Sequence, residues 1–233
     1  MKKPYMICHM MSTVNGRIIS ENWAGTKKRQ AFYNIYERCH ESFEGEAWMC
    51  GRVTLEKDFE NEEKPKLSNS RQRIPKKSFV GDTDATSFAI AVDAKGKLGW
   101  KKNHLSGDHI IEILTEQVSN SYLHYLRQRK VSYIFAGKKE IDFRSALNQI
   151  AILFPIKTIL LEGGGHVNGS LLNEGLIDEI SLLIIPMADG TAGAPTTFEL
   201  GKYVRKKSAI TFQLHVVKRI EHDVLWIRYR TAK

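Results

Sequence analysis

The hydrophobic positions along the chain form short apolar runs that alternate with amphipathic stretches. Apolar runs of roughly four to eight residues predict buried strands, whereas apolar residues three and four positions apart predict helices. The predicted strands are Tyr5–Met10, Ala47–Cys50, Phe88–Val92, Ile110–Leu114, Val131–Phe135, Ile156–Leu161, Glu179–Ile185, Ile210–Val217 and Val224–Tyr229. The predicted helices are one capped by Thr26, those at 53–58, 122–129 and 143–153, and one ending near Asn173.

This alternation predicts an α/β protein with a mixed, mostly parallel central sheet flanked by helices. The last two strands surround Glu221-His222-Asp223 and are expected to form an antiparallel pair. The charged segment Glu60–Lys77 contains two prolines and is predicted to be an exposed loop. Because no repeat or linker interrupts the pattern, residues 1–233 are predicted to form a single domain.

The amino-acid composition indicates a globular protein. Of the 233 residues, 42% are hydrophobic and 26% are charged, which is typical of a globular chain with a substantial core. No apolar segment reaches the roughly 20 residues of a spanning helix, and no signal-peptide cleavage site follows the first strand, so a cytoplasmic protein without a membrane partner is expected.

The cysteines Cys8, Cys39 and Cys50 are widely spaced without a CxxC pair, which predicts buried thiols and no metal site.

The net charge of +9 indicates an anionic partner, such as nucleic acid, a membrane surface or a phosphorylated small molecule. The basic residues are spread over the whole length and form no nucleic-acid motif. We therefore interpret the basic clusters as solvated surface positions and expect no nucleic-acid partner. The alternative from a different class is a non-catalytic basic protein that binds nucleotides or nucleic acid.

The most informative segment follows the strand Ile156–Leu161, which ends in Glu162 and the glycines Gly163, Gly164 and Gly165. In α/β sheets, ligands bind beyond the carboxyl ends of strands. Consecutive glycines allow close approach of the backbone to a ligand, and a helix N-terminus offers N–H groups to an anion. The segment is therefore a candidate diphosphate cradle with His166 beside it. The simpler interpretation is a tight strand-to-helix turn.

A second candidate phosphate site follows the strand Ala47–Cys50. Gly51 ends that strand, and Thr54 near the start of the next helix can donate its hydroxyl and backbone N–H to a phosphate. Arg52 can bind a further phosphate in a bidentate manner. Thr54 as a plain helix cap and Arg52 as a surface charge are the alternatives. Two such turns suggest a dinucleotide, and the absence of GxGxxG excludes the Rossmann fingerprint.

These motifs resemble the reductase domain of riboflavin biosynthesis, the C-terminal family of bacterial deaminase–reductases, whose fold is dihydrofolate-reductase-like. The resemblance covers essentially the whole chain and is most specific from LLEGGG through NEGLIDEI to Pro186. The opening PYMICHMMSTVNGRI is similar to the family's first strand and its (S/T)-L-D-G-(K/R) turn, with Asn15 where the family has Asp. CGRVTLEKDF is similar to the family's G-x-x-T-x-x-x-D.

The resemblance implies an NADPH-dependent reductase without a metal. In it, Gly163–Gly165 would hold the cofactor diphosphate, assisted by Thr54, and Arg52 would favour the 2′-phosphate. The remaining cofactor-binding residues implied are Gly51, Asp58, Val92, Asp93, Glu162 and His166. Asp58 would also be catalytic, orienting the substrate or managing its proton. Thr13 and Asn15 would bind the substrate.

The implied reaction is hydride transfer to the ribosyl group of a diaminopyrimidinone or aminouracil ribosylamino phosphate. The chain has Asp58-Phe59-Glu60 where the family continues D-D-P. The basic residue that follows this motif in the family does not align here, and the nearby candidates for it are Lys66, Arg71 and Arg73. A dihydrofolate-reductase-like enzyme that reduces another heterocyclic, imine or carbonyl substrate is therefore the alternative. The zinc-deaminase signature is absent from the chain. The resemblance also implies a homodimer with the C-terminal strands at its interface.

Overall fold

The computed structural model describes residues 3–18, 23, 26–58, 64–68, 73–201 and 208–232. Over these residues the chain forms ten strands and five α-helices. In chain order these are β1 (Tyr5–Thr13), α1 (Thr26–Glu41), β2 (Ala47–Gly51), α2 (Arg52–Asp58), β3 (Phe88–Val92), β4 (His104–Leu105), β5 (Asp108–Leu114), α3 (Asn120–Gln128), β6 (Ser132–Phe135), α4 (Phe143–Leu153), β7 (Thr158–Leu161), α5 (Gly165–Asn173), β8 (Glu179–Ile185), β9 (Phe212–Arg219) and β10 (Leu225–Thr231).

The contacts divide the chain into two units. The first consists of Met1–Pro4 and Gly45–Ile159, and the second of Tyr5–Glu44 and Leu160–Lys233, so that the boundary falls within β7. The single domain over residues 1–233 stays a prediction.

In the first unit, β3 pairs in parallel with β2 and β5, and β5 pairs in parallel with β6 and antiparallel with the short β4. The central strands are buried on both faces, because Met49, Ile90 and Ile111 are all inaccessible to solvent. This burial explains their near-continuous apolar sequences. Helices α3 and α4 are capped by Ser119 and Asp142, whose side chains accept hydrogen bonds from first-turn N–H groups.

In the second unit, β1 pairs in parallel with β8, and β8, β10 and β9 follow as antiparallel neighbours. The 3₁₀ turn Glu221–Asp223 joins the last two strands. A core cluster forms where α1 buries Phe32 and Ile35 against Leu183 and Ile185 of β8. Trp23, three residues before α1, belongs to the same cluster and is 5% exposed.

The predicted fold class is confirmed, because parallel pairs predominate and the C-terminal strands are antiparallel. The two-residue β4 was not predicted, since so short a strand has no periodic pattern. Helix α1 begins at Thr26 itself rather than after it. In the predicted loop Glu60–Lys77, residues 64–68 and 73–77 form neither helix nor strand, and the remainder lies outside the described residues.

Two further predictions concern the cysteines and the membrane. All three cysteines are buried thiols, as expected from their spacing. None of the helices in the described part of the chain combines the length and hydrophobicity needed to cross a bilayer. The cytoplasmic location stays a prediction.

Candidate functional site

The predicted glycine turn lies where the sequence placed it, between β7 and α5. Gly163 has a φ of 120°, which glycine tolerates far better than residues with a side chain. Gly164 is the residue before the helix, and the carbonyl of Gly164 accepts hydrogen bonds from Val167 and Asn168. The first N–H groups of a helix have no partner within the helix. The turn therefore has the geometry of an anion-binding site.

Gly165 has a second role that the sequence analysis missed. A Cβ atom at Gly165 would lie 2.4 Å from the carbonyl oxygen of Thr196 and 3.2 Å from Cγ of Glu199. Gly169, one turn further along α5, would place a Cβ 1.9 Å from the carbonyl oxygen of Glu199. The two glycines therefore allow the segment around Thr196–Glu199 to pack directly on α5. A G-x-x-x-G spacing was the only signal of this packing in the sequence.

Glu162, immediately before the glycines, is bound by two side chains of α1. Tyr36 donates its hydroxyl proton to Glu162 Oε1 across 2.9 Å, and His40 Nδ1 lies 2.6 Å from the same oxygen. The exposed fraction of the Glu162 side chain is 14%. Neither Tyr36 nor His40 was proposed as a site residue, because the helical periodicity indicated only that Tyr36 faces the core.

A buried histidine supports this cluster from β1. His9 Nδ1 lies 2.9 Å from the hydroxyl of Ser181, which itself accepts a hydrogen bond from Trp226 Nε1. The hydroxyl proton of Ser181 is then available to His9 Nδ1, so the network places the ring proton on Nε2, toward the carbonyl of Tyr36. Burial lowers the pKa of His9 to about 4, so this imidazole is neutral at pH 7.

His166 lies on the surface at the start of α5. Its side chain is 71% exposed, and its Nε2 lies 3.8 Å from Glu199 Oε2. Such an exposed pair has little energetic weight. The structure therefore leaves His166 accessible, and its predicted contact with a cofactor stays a prediction.

The second predicted turn, between β2 and α2, also has the expected form. Gly51 ends β2 and stands opposite Val92 in the parallel pairing of β2 with β3. Both residues thus lie at carboxyl ends of adjacent parallel strands, where α/β proteins bind ligands. Thr54 lies half-buried in the first turn of α2.

Arg52 is the first residue of α2 and forms an ion pair within that helix. Its Nη1 lies 2.5 Å from Glu56 Oε2, and each of the two side chains is 32% exposed. A phosphate bound by Arg52 would therefore replace or share this carboxylate. Asp58 is the last residue of α2, and its side chain lies outside what the structure describes.

Asp93 follows Val92 and is buried. Its carboxylate accepts hydrogen bonds from the backbone N–H groups of Lys97 and Leu98, the latter at 2.8 Å. Both contacts are made to Oδ2, and they fix the loop after β3. Close by, Glu112 is fully buried and accepts hydrogen bonds from Trp100 and Tyr122. Burial, with the charge of Asp93 as a second cause, raises the pKa of Glu112 well above its ordinary value.

The predicted substrate residues Thr13 and Asn15 shape the turn after β1. Thr13 is buried and donates its hydroxyl proton to Asn15 Oδ1 across 2.7 Å. Asn15 Nδ2 donates to the carbonyl of Asp189 at 2.7 Å, and Asp189 N donates back to Asn15 Oδ1 at 3.1 Å. Both ends of the Asn15 amide are therefore engaged within the protein. The substrate contacts of these residues stay predictions.

A protein-family model described as the RibD C-terminal domain matches residues 4–226. The chain belongs to the RibD C-terminal domain family. This confirms the resemblance found in LLEGGG, NEGLIDEI and the first strand. The family match covers the sequence from β1 into β10.

Solved structures with the same fold agree with this membership. A pyrimidine reductase-like protein from Corynebacterium diphtheriae has a TM-score of 0.69 at 18% identity, covering 99% of this chain and 92% of that one. RibD from Acinetobacter baumannii has a TM-score of 0.64 at 19% identity, covering 99% and 58%. The riboflavin biosynthesis reductase Rib7 of Saccharomyces cerevisiae has a TM-score of 0.61 at 15% identity, covering 99% and 90%. At these identities the likeness shows the fold.

A curated relative is the 2,5-diamino-6-ribosylamino-4(3H)-pyrimidinone 5′-phosphate reductase of Methanothermobacter thermautotrophicus. It is 32% identical over 69 residues, which amount to 30% of this chain and 32% of the relative. The match thus spans about a third of that protein's length.

Proposed function

We propose that this member of the RibD C-terminal domain family is an oxidoreductase of riboflavin biosynthesis. In this proposal the enzyme reduces the ribosyl group of a diaminopyrimidinone or aminouracil ribosylamino phosphate with NADPH as hydride donor. The family match over residues 4–226 is the observation that carries the proposal. The curated relative supports it, because its name describes a reductase of a phosphorylated ribosylaminopyrimidinone.

NADPH supplies the hydride, so the protein needs only to bind and orient its ligands. We assign the diphosphate to Gly163, Gly164 and the start of α5, where positive φ and helix N–H groups suit an anion. The family motif also gives Thr54 and Gly51 a role in binding the cofactor. Arg52 binds the 2′-phosphate by exchanging the carboxylate of Glu56 for it.

The remaining assignments follow the family motif. Asp58, at the end of α2, orients the substrate or handles its proton. Val92 and Asp93 contribute the strand end opposite Gly51, and the buried carboxylate of Asp93 acts by fixing its loop. Thr13 and Asn15 act through the turn that they build. His166 lies beside the diphosphate turn.

A different substrate is the second candidate within the same chemistry. Asn15 replaces the family's Asp, and its amide is engaged by Thr13 and Asp189. A reductase with the same cofactor site and another heterocyclic, imine or carbonyl substrate would fit this change. A screen of such substrates against NADPH consumption distinguishes the two candidates.

The homodimer proposal is supported by an apolar face on the C-terminal strands. Residues paired across neighbouring strands share a face, as do alternate residues along one strand. A bulge at His215 places Leu214 opposite Tyr229 and Val217 opposite Ile227, so both project to one side. We call the apolar residues of this side the C-terminal face, and they are Ile180, Leu182, Ile184, Leu214, Val217, Leu225, Ile227 and Tyr229. Arg219, opposite Leu225, lies at its margin.

The C-terminal face is incompletely covered within one chain. Leu214 and Val217 are 58% and 56% exposed, and Leu225 is 39% exposed. Contiguous exposed apolar side chains of this kind mark interaction surfaces. A second copy, meeting the first through the same face about a two-fold axis, would cover both.

Calorimetry with NADPH and NADH tests the proposed cofactor. The proposal requires micromolar affinity for NADPH and a clearly weaker affinity for NADH. Failure of both nucleotides to bind would remove the reductase proposal and leave a protein with the family fold and another function.

A further inference from the structure

Glu162 is held by one oxygen only. Tyr36 and His40 both contact Oε1, at 2.9 Å and 2.6 Å. Oε2 takes part in no hydrogen bond among the residues that the structure describes, and the side chain retains an exposed fraction of 14%. Oε2 can therefore accept a hydrogen bond from a hydroxyl or N–H group of a ligand.

The two donors lie one turn apart on the same side of α1, so a single helix presents both. Tyr36 is itself fixed, because its hydroxyl also lies 3.1 Å from the carbonyl oxygen of His9 and its ring stacks on the His9 ring at 4.4 Å. His9 is anchored in turn by Ser181. This chain of contacts leaves Glu162 little freedom at the Oε1 end.

We infer that Tyr36 and His40 are positioning residues, which hold the Glu162 carboxylate in one orientation beside the Gly163–Gly165 turn and leave Oε2 for a donor group of the bound ligand. The inference rests on the proposed function, since it assumes that a ligand occupies this turn.

Other titratable groups around Glu162 do not replace these two. Cys8 and His9 on β1 are buried, and burial raises the pKa of Cys8 and lowers that of His9, so both are neutral at pH 7. The pKa of Glu37 on α1 is raised, first by burial and second by the negative charge of Glu162. Tyr36 and His40 are therefore the groups to test.

Crystal structures of His40→Leu, His40→Asn and Tyr36→Phe test the positioning directly. Asn retains a donor near the place of Nδ1, whereas Leu and Phe remove one. We expect Glu162 to keep its orientation in His40→Asn and to leave it in His40→Leu. An unchanged Glu162 in both His40→Leu and Tyr36→Phe would overturn the inference, whatever the protein binds.

A double-mutant cycle on ligand binding supplies the second test. His40→Leu is expected to weaken NADPH affinity or lower kcat/KM by about tenfold or more, through misplacement of Glu162. The same change in a Glu162→Gln background should have no further effect, and His104→Leu, at an exposed site, should have none in either. Equal effects of His40→Leu in both backgrounds would overturn the inference. If the wild type binds no nucleotide, the proposed function fails, and the crystal structures still decide the positioning.

Discussion

Gly165 lies so close to Thr196 that a methyl group on its α-carbon would come within 2.4 Å of the Thr196 carbonyl oxygen. Glu199 N–H donates to the carbonyl of Gly165 at 2.9 Å, and Thr196 N–H donates to Glu199 Oε1 at 2.9 Å. These hydrogen bonds thus hold the Thr196–Glu199 segment against the start of α5. Gly165 therefore both belongs to the Gly163–Gly165 turn and allows the Thr196–Glu199 segment to pack against that turn.

Gly165→Ala should therefore destabilise the protein, because backbone atoms cannot move aside as a flexible side chain can. Overpacking of this kind costs about 1–3 kcal/mol of unfolding free energy. Urea denaturation measures the change. Gly190→Ala is the control, since a Cβ there meets no atom within 4 Å. Equal stability of the two variants would show that the loop does not pack on Gly165.

The buried histidine makes stability depend on pH. The pKa of His9 is about 4 in the folded protein, whereas an unfolded histidine titrates near 6.5. Between these values the unfolded chain binds a proton that the folded chain does not, so stability is complete above about pH 6.5 and declines as pH falls toward 4. Across this pH range, protonation of His9 in the unfolded chain lowers the free energy of unfolding by about 3 kcal/mol.

Unfolding free energies of the wild type and His9→Gln, measured across that pH range, check this contribution. The decline should become shallower in His9→Gln and stay unchanged in His215→Gln, because His215 is exposed on β9. NMR provides a direct observation, in which the His9 ring stays neutral at pH 5. A His9 ring that titrates near 6.5 in the folded protein would contradict the assignment.

Much of the fold and part of the site follow from local sequence. Strands β3 and β8 were predicted with their observed bounds, and so was the turn at Gly163, because periodicity and glycine content are local signals. The partners of Glu162 were not predicted, since Tyr36 and His40 lie 126 and 122 residues away. The engagement of Asn15 by Asp189, 174 residues distant, depends likewise on tertiary structure.

Cofactor selectivity is expected to depend on the competition between Glu56 and a phosphate for Arg52. Arg52→Ala should lower NADPH affinity by about tenfold or more and leave NADH affinity unchanged, because only NADPH carries the 2′-phosphate. Glu56→Gln should strengthen NADPH binding by releasing the guanidinium. Calorimetry with both nucleotides measures the effects. Loss of NADH affinity in Arg52→Ala would instead indicate a contact elsewhere on the cofactor.

The proposed dimer makes a prediction on a single strand. Leu214→Glu and Val217→Glu place charges on the C-terminal face and should yield monomers in analytical ultracentrifugation. Gln213→Glu is the matched control, because Gln213 pairs with Arg230 on the opposite face of the same strand. A wild-type protein that sediments as a monomer at high concentration would rule out the dimer.

The reaction proposed for this protein is the reduction of a phosphorylated ribosylaminopyrimidine with NADPH. The most direct measurement follows NADPH consumption by the purified protein with the diaminopyrimidinone and the aminouracil ribosylamino phosphates, and identifies the product by mass spectrometry. We expect a ribityl product formed in equal amount to the NADPH oxidised, with turnover sharply reduced in Asp58→Asn. A folded protein that oxidises no NADPH with either compound would contradict it.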